Sequence, residues 1–156
     1  MKRLLNSLLV VVMLLALSSC DKELSFLAKM TAKIDGNSWS SIGRTTIKQA
    51  NTFLITGTST DGDIIVLTIN GTSEGVYILD PISATPQTGF AGAYNTTDDG
   101  DNVSFIATSG ELSLTEVDSD NSRISGSFAF SARTVTDSTS VEISSGIFED
   151  LKYTSQ

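Results

Sequence analysis

From Ile124 to Ala132 the chain places Ile124, Gly126, Phe128, Phe130 and Ala132 at alternate positions, with Ser125, Ser127, Ala129 and Ser131 between them. A period of two puts one set of side chains on each face, so this stretch predicts a strand with an apolar face buried and a hydroxyl-rich face wet. The same alternation sets Phe26, Ala28, Met30, Ala32 and Ile34 against Leu27, Lys29, Thr31 and Lys33. It recurs at Phe53 and Ile55 and again at Val103, Phe105 and Ala107. No stretch after Cys20 sustains the 3.6-residue period of an amphipathic helix. The chain beyond Cys20 is therefore expected to be all-β.

Turn signals divide it. Asp35-Gly36-Asn37, Asp61-Gly62-Asp63, Asn70-Gly71 through Gly75 and Asp118-Ser119-Asp120-Asn121 each separate two apolar runs, and Asn95 to Asp101 reads as a further polar, acidic turn. Trp39 and Ile42 suggest a short second strand that breaks at Gly43, with Thr45 to Lys48 as a third strand or an irregular link. Ile64 to Ile69 is apolar on both faces and predicts a central strand covered on both sides. Val76 to Leu79 returns, and Pro81 and Pro86 then make Asp80 to Gly89 the best loop candidate. Phe90 to Tyr94 is read as an edge strand; Leu112, Leu114 and Val117 follow a break at Gly110; Val141, Ile143, Ile147 and Phe148 close the domain, with Leu151 and Tyr153 near its end. The expected architecture is an antiparallel β-sandwich or barrel of about 8–10 short strands.

The first twenty residues have another character. Lys2 and Arg3 precede an apolar run from Leu8 to Leu17, and Leu17-Ser18-Ser19-Cys20 puts small residues before a cysteine. As a helix, Leu4 to Leu17 would cover roughly 21 Å, too little for a hydrocarbon core of about 30 Å. A basic end, a short apolar core and a small-residue cleavage site are what a secretory signal requires. The chain has a single cysteine, and it stands where a lipoprotein peptidase needs the first mature residue. Residues 1–19 are thus expected to be a lipoprotein signal peptide, 20–25 a lipidated N-terminus (diacylglyceryl and palmitate at Cys20) with a short spacer, and 26–156 one β domain. Acyl burial is worth ~0.8 kcal/mol per CH₂, and two chains anchor stably.

Loss of the signal leaves eight basic against eighteen acidic residues, a net charge of −10. Nucleic acid, bound by neutralising phosphates, is not an expected partner. A basic patch for anionic headgroups is not expected either, so lipid at Cys20 is the predicted membrane contact. There is no histidine, which excludes His-assisted hydrolysis as usually built. Phosphate-binding Gly-rich loops followed by a helix are missing. A carboxylate pair for glycoside hydrolysis would have to come from acidic residues that fall mostly in turns. No enzyme activity, cofactor or metal is expected from these residues.

Three features keep other options open. The turns Asp61-Gly62-Asp63, Asp98-Asp99-Gly100-Asp101-Asn102 and Asp118-Ser119-Asp120-Asn121 offer carboxylate oxygens to calcium, although none is a full EF-hand loop. Trp39, Tyr77 and Tyr94 are the aromatic candidates for a sugar site, with Trp39 beside a turn also suited to plugging the core. Asp137-Ser138-Thr139 looks like a bacterial O-glycosylation acceptor, and Asn70, Asn95 and Asn102 head N-glycosylation sequons that carry little weight in a bacterium.

Ala28 with Ile34-Asp35-Gly36-Asn37-Ser38-Trp39, then Ile65-Val66-Leu67-Thr68-Ile69 with Gly75-Val76-Tyr77, resembles a large group of uncharacterised single-domain lipoproteins of Bacteroidota. Ser109-Gly110-Glu111-Leu112-Ser113-Leu114, Ile124 to Phe130 and Ile143-Ser144-Ser145-Gly146-Ile147-Phe148 are similar to that group as well. The resemblance implies an all-β domain of unknown function in the bacterial cell envelope; the lipid anchor is expected at the outer membrane, with the choice against the inner membrane and between the periplasmic and surface faces left open by Asp21-Lys22-Glu23. The resemblance brings no catalytic residues. The expected role is a non-enzymatic binding or structural module with a protein or glycan partner; the alternatives are a lipocalin-like small-ligand carrier barrel and a carbohydrate-active protein.

Overall fold

A computed structural model describes residues 29–79, 89–98, 100–136 and 139–156. The ten strands there are β1 (Lys29–Ile34), β2 (Asn37–Gln49), β3 (Thr52–Ser59), β4 (Ile64–Asn70), β5 (Gly75–Ile78), β6 (Gly89–Asp98), β7 (Asp101–Asp118), β8 (Arg123–Thr134), β9 (Ser140–Lys152) and β10 (Thr154–Ser155). Each of β1, β2, β3, β4, β6, β7, β8 and β9 pairs antiparallel with the next, and β1 pairs with both β2 and β9. The sheet therefore closes on itself as an eight-stranded up-and-down barrel, the barrel branch of the sandwich-or-barrel expectation. β5 lies against the second half of β7, where Gly75 faces Leu114, and β10 runs parallel to β2. The lipoprotein signal helix expected for 1–19 lies outside the described residues, as do Cys20, its spacer and almost all of the Asp80–Gly89 loop.

An eight-stranded barrel is just wide enough for its inward side chains to fill it. Met30, Phe53, Ile55, Ile65, Leu67, Ile69, Leu112, Leu114, Ile124, Ile143, Phe148 and Leu151 are fully buried inside. Phe128 stacks on Phe130 at 6.3 Å and on Phe148 at 6.4 Å. Those rings need backbone at their faces. A Cβ on Gly126 would come within 2.5 Å of the Phe148 ring, and one on Gly146 within 2.5 Å of the Phe128 ring. The space that a lipocalin-like carrier would keep empty is thus occupied by side chains.

Several expectations change. Gly43 and Gly110 were expected to end strands, but β2 is one strand of 13 residues and β7 one of 18. Near both glycines the register slips by a bulge, between Ser41 and Gly43 and between Ala107 and Ser109. A bulge spends one residue without pairing and bends the strand, so the ladder continues around the barrel past the point where alternation loses phase. Ile42 lies on the outside, 65% exposed, as the consequence. Phe90 to Tyr94 belongs to β6, which is paired on both sides, by β4 and β7, and is no edge. The Asn95–Asp101 turn shrinks to its tip, because Asn95 to Asp98 pair with Ser104 to Asp101. β4 points Ile65, Leu67 and Ile69 inward and leaves Ile64 and Val66 half-buried on the outer wall, with no second layer over them among the described residues.

The meander puts alternate turns at opposite ends. One end, called here the mouth, carries the β1–β2, β3–β4, β6–β7 and β8–β9 connections; the base carries the start of β1, the β2–β3 and β7–β8 turns and the exit from β9. The base is closed by Tyr153, whose ring meets Phe53 edge-on at 5.1 Å and whose N–H donates to the Ser122 carbonyl at 2.9 Å. At the mouth, Asp35 extends the β1–β9 seam: its N–H donates to the Glu142 carbonyl at 2.9 Å, and its carboxylate accepts from the Glu142 N–H at 2.8 Å.

Since Phe148 packs against the Gly126 backbone and the Phe128 ring, Phe148→Ala should open a void that the barrel wall cannot collapse into. A loss of about 3–5 kcal/mol is expected in urea-induced unfolding.

Candidate functional site

At the mouth the packed interior gives way to a cavity of about 460 Å³ lined by Ile34, Asn37, Ser38, Trp39, Ser40, Ser59, Thr60, Asp61, Asp63 and Tyr94. Its volume falls within the ~300–1,000 Å³ usual for small-molecule sites. β2 supplies Trp39, the end of β3 supplies Ser59, the β3–β4 turn supplies Asp61 and Asp63, and β6 supplies Tyr94.

The turn is fixed by its own hydrogen bonds. The Ser59 N–H donates to the Asp63 carbonyl at 2.9 Å, the Gly62 N–H to the Ser59 carbonyl at 3.3 Å, and the Asp63 N–H to Ser59 Oγ at 3.1 Å. Thr96 Oγ1 on β6, the strand paired to β4, then donates to Asp63 Oδ1 at 2.6 Å, tying the turn to its neighbouring strand. The Tyr94 phenol interacts with both Thr96 and Asp63. Burial pushes its pKa above the ordinary 10.0; the Thr96 hydrogen bond opposes this and the Asp63 charge adds to it. The ring packs on Phe105 at 5.8 Å.

Trp39 is the unusual member. Its ring reaches inward until a Cβ on Gly57 would sit 2.8 Å from the Cη2 atom, and the residue is 5% exposed. Its Nε1–H is buried and finds no acceptor among the described residues. An unsatisfied buried donor costs on the order of 1–3 kcal/mol, so buried indoles usually have a partner.

The other residues singled out from sequence separate. Tyr77 is a core plug near the base, packed on Gly71, and its hydroxyl donates to the Ser73 carbonyl at 2.6 Å. Asp98 and Asp101 face each other across the β6–β7 turn, with Asp99 outside the described residues. Asp118 accepts from the Asp120 and Asn121 N–H groups at 3.0 and 2.9 Å and from Asn121 Nδ2 at 2.7 Å. The Asn121 side chain and backbone hold that carboxyl below its ordinary pKa, so the turn satisfies its own aspartate. Among the described residues no three acidic side chains gather in a metal-binding group. Asn70 Oδ1 accepts from Thr52 Oγ1 at 3.2 Å and Asn95 Oδ1 from Ser104 Oγ at 2.6 Å; Asn102 lies in β7. Asp137 and Ser138 fall outside the described residues.

The mouth thus joins two features that sequence reasoning held apart, the aromatics Trp39 and Tyr94 and the Asp61-Gly62-Asp63 turn. It adds Ser59 and Thr96, which were not singled out. Ser59 had a signal: it continues the inward set Phe53, Ile55 and Gly57, a polar side chain at the end of an apolar face.

Over residues 28–152 the chain matches DUF6252, a domain of unknown function. It belongs to that family. No curated protein and no solved structure matches it. The match runs from the residue before β1 to the last residue of β9, so the DUF6252 domain comprises the whole closed barrel and the mouth with it.

Because burial raises the pKa of Tyr94, the folded protein holds its phenolic proton more tightly than the unfolded chain. The stabilisation is full below pH 10, the ordinary value, and is lost as the pH climbs through the higher folded value. In urea titrations carried from neutral to alkaline pH, Tyr94→Phe should lose stability less steeply than the parent chain once the pH passes 10.

Proposed function

We propose that this DUF6252 chain is a non-enzymatic binding module of the bacterial cell envelope, held at the outer membrane by lipid on Cys20 and presenting its barrel mouth away from the bilayer. The observation that carries this reading is the polarity of the barrel. β1 begins at Lys29 at the base, and Ile34, five residues further on and roughly 17 Å along the strand, lines the mouth. Eight residues separate Cys20 from Lys29, so a lipid at Cys20 holds the base within roughly 30 Å of the headgroups. The mouth then opens toward whatever lies beyond the membrane surface.

The solid interior favours a module that binds at its end over a carrier that encloses its cargo. The absence of histidine, together with the Asp118 carboxylate held by the backbone of its own turn, supports a role without catalysis. The acidic composition favours neutral partners such as glycans, or proteins with basic surfaces, and leaves the lipid as the membrane contact.

Feeding cells that express the chain an alkyne analogue of palmitate tests the anchor. The parent protein should take up the label and sediment with membranes, whereas Cys20→Ala should lose the label and appear in the soluble fraction. An unlabelled parent, or a Cys20→Ala chain that still sediments with membranes, would sink the lipid-anchored reading. Protease shaving of intact cells then decides between the periplasmic and the surface face.

A further inference from the structure

We infer that the outer wall of β3, β4, β6 and the first half of β7 is a docking face for a second copy of this chain, joined side to side in a weak, reversible dimer. The inference goes beyond the proposed function and does not rest on the lipid anchor.

Charge sets this wall apart. The chain carries 10 basic and 18 acidic side chains, yet none falls in β3, in β4 or between Asn102 and Gly110 of β7, and β6 has only Asp98, at its mouth end. The register aligns the outward residues of these strands. One row crosses the wall as Thr56, Val66, Ala93 and Ile106, and the row nearer the base holds Leu54, Thr68 and Ala91. Leu54 and Ile106 are exposed there although apolar. Beyond Ile106 charge returns with its β8 partner Arg133, and the far side of the barrel carries Lys29 and Lys33 on β1 and Glu142 and Glu149 on β9. An ordinary soluble surface intersperses charges of both signs, whereas depletion of charge marks the core of an interface. Threonine, valine and alanine also lose less rotamer freedom when covered than lysine or glutamate would.

Charge, hydrogen bonding and area together select a second copy. With a net charge of −8, two copies repel wherever their carboxylates approach, and this wall is the broad sector among the described residues where they do not. Its polar groups are threonine hydroxyls and the Asn70 and Asn95 amides, each both donor and acceptor, so the face is complementary to itself about a two-fold axis. A charged partner would lose hydration against this wall and meet no counter-charge. With strands ~4.8 Å apart and outward rows ~6.7 Å apart, the face covers roughly 500–600 Å². Two such faces bury at most about 1,200 Å², the low end for specific interfaces. Curvature of the barrel removes part of that contact, so the dimer is weak and reversible.

Cysteine crosslinking tests the face. Cys20 is the single cysteine, so in the full-length Cys20→Ala chain an introduced cysteine is the one thiol. In that background Leu54→Cys and Ala91→Cys place an exposed thiol on either side of Thr68 on β4, and Ser127→Cys places one on the outer wall of β8. Each chain is treated with a short bismaleimide, in intact cells and after purification in a zwitterionic detergent. Leu54→Cys or Ala91→Cys should give a dimer adduct whose yield rises with protein concentration and exceeds that of Ser127→Cys at least tenfold. Adding Thr56→Glu sets like charges against each other across the interface. It should cut the adduct at least tenfold at an unchanged melting temperature, and Ala93→Glu takes its place if that variant does not fold. The inference is overturned if neither face position gives a dimer adduct, if Ser127→Cys reacts as well, or if the adduct survives the added glutamate. Adducts formed only with other proteins would assign the face to a different partner and overturn it too. The anchor is judged separately: a missing lipid label on the parent chain would overturn the anchored reading alone, and a missing adduct here the dimer alone.

Discussion

β1 is paired along one side to β2 and along the other to β9, and that double pairing turns a meander of strands into a closed wall. Without it β1 and β9 would each carry a free row of N–H and C=O groups, an edge open to pairing with other chains. Closure also defines an inside. Once the wall is continuous, every second residue of eight strands converges on one axis, and the apolar faces that each strand brings become a single core. The seam is reinforced at its mouth end by the reciprocal bonds between Asp35 and Glu142, and at the base by the Lys29–Glu149 ion pair at 3.0 Å. The latter is about half exposed and contributes little by itself.

Filling so narrow a cylinder sets the second level of organisation. Phenylalanine rings at 128, 130 and 148 occupy one sector, and that sector's wall is thinned to glycine at 126 and 146 so the rings can lie flat against backbone. Bulges in β7 and β9 keep these long strands coiled around the rings. The two ends then differ in kind. Tyr153 and Phe53 seal the base with aromatic contact and Lys48 lies over both rings, at 5.7 and 5.9 Å, whereas the mouth is lined by hydroxyls, carboxylates and one unsatisfied indole.

Much of this was legible in the sequence, and the two strands that it breaks at glycines share one cause. Where strands run without interruption, as in β3 and the Ile124–Ala132 part of β8, alternation names the inward residues correctly. Where a bulge intervenes, the period-two rule loses phase, so Gly43 and Gly110 look like ends although hydrogen bonding continues past them. Ile64–Ile69 misled differently, since its outward residues are half-covered by neighbours on the wall and need no second sheet. For the site, the residue types were visible one by one: an isolated tryptophan beside a turn, a tyrosine, an Asp-Gly-Asp. Their convergence was not, because it depends on Tyr94 in β6 lying across the barrel end from Trp39 in β2, a relation that closure alone creates.

The placement of β1 also has a mechanical side. β1, a strand of six residues, begins at the base with Lys29, where the preceding chain is joined to it. A pull on that chain draws β1 lengthwise between β2 and β9, and because antiparallel hydrogen bonds lie perpendicular to the strands, both ladders are loaded in shear at once rather than peeled bond by bond. Under tension the domain resists through its seam, and the hairpins around the mouth carry none of the load until that seam yields.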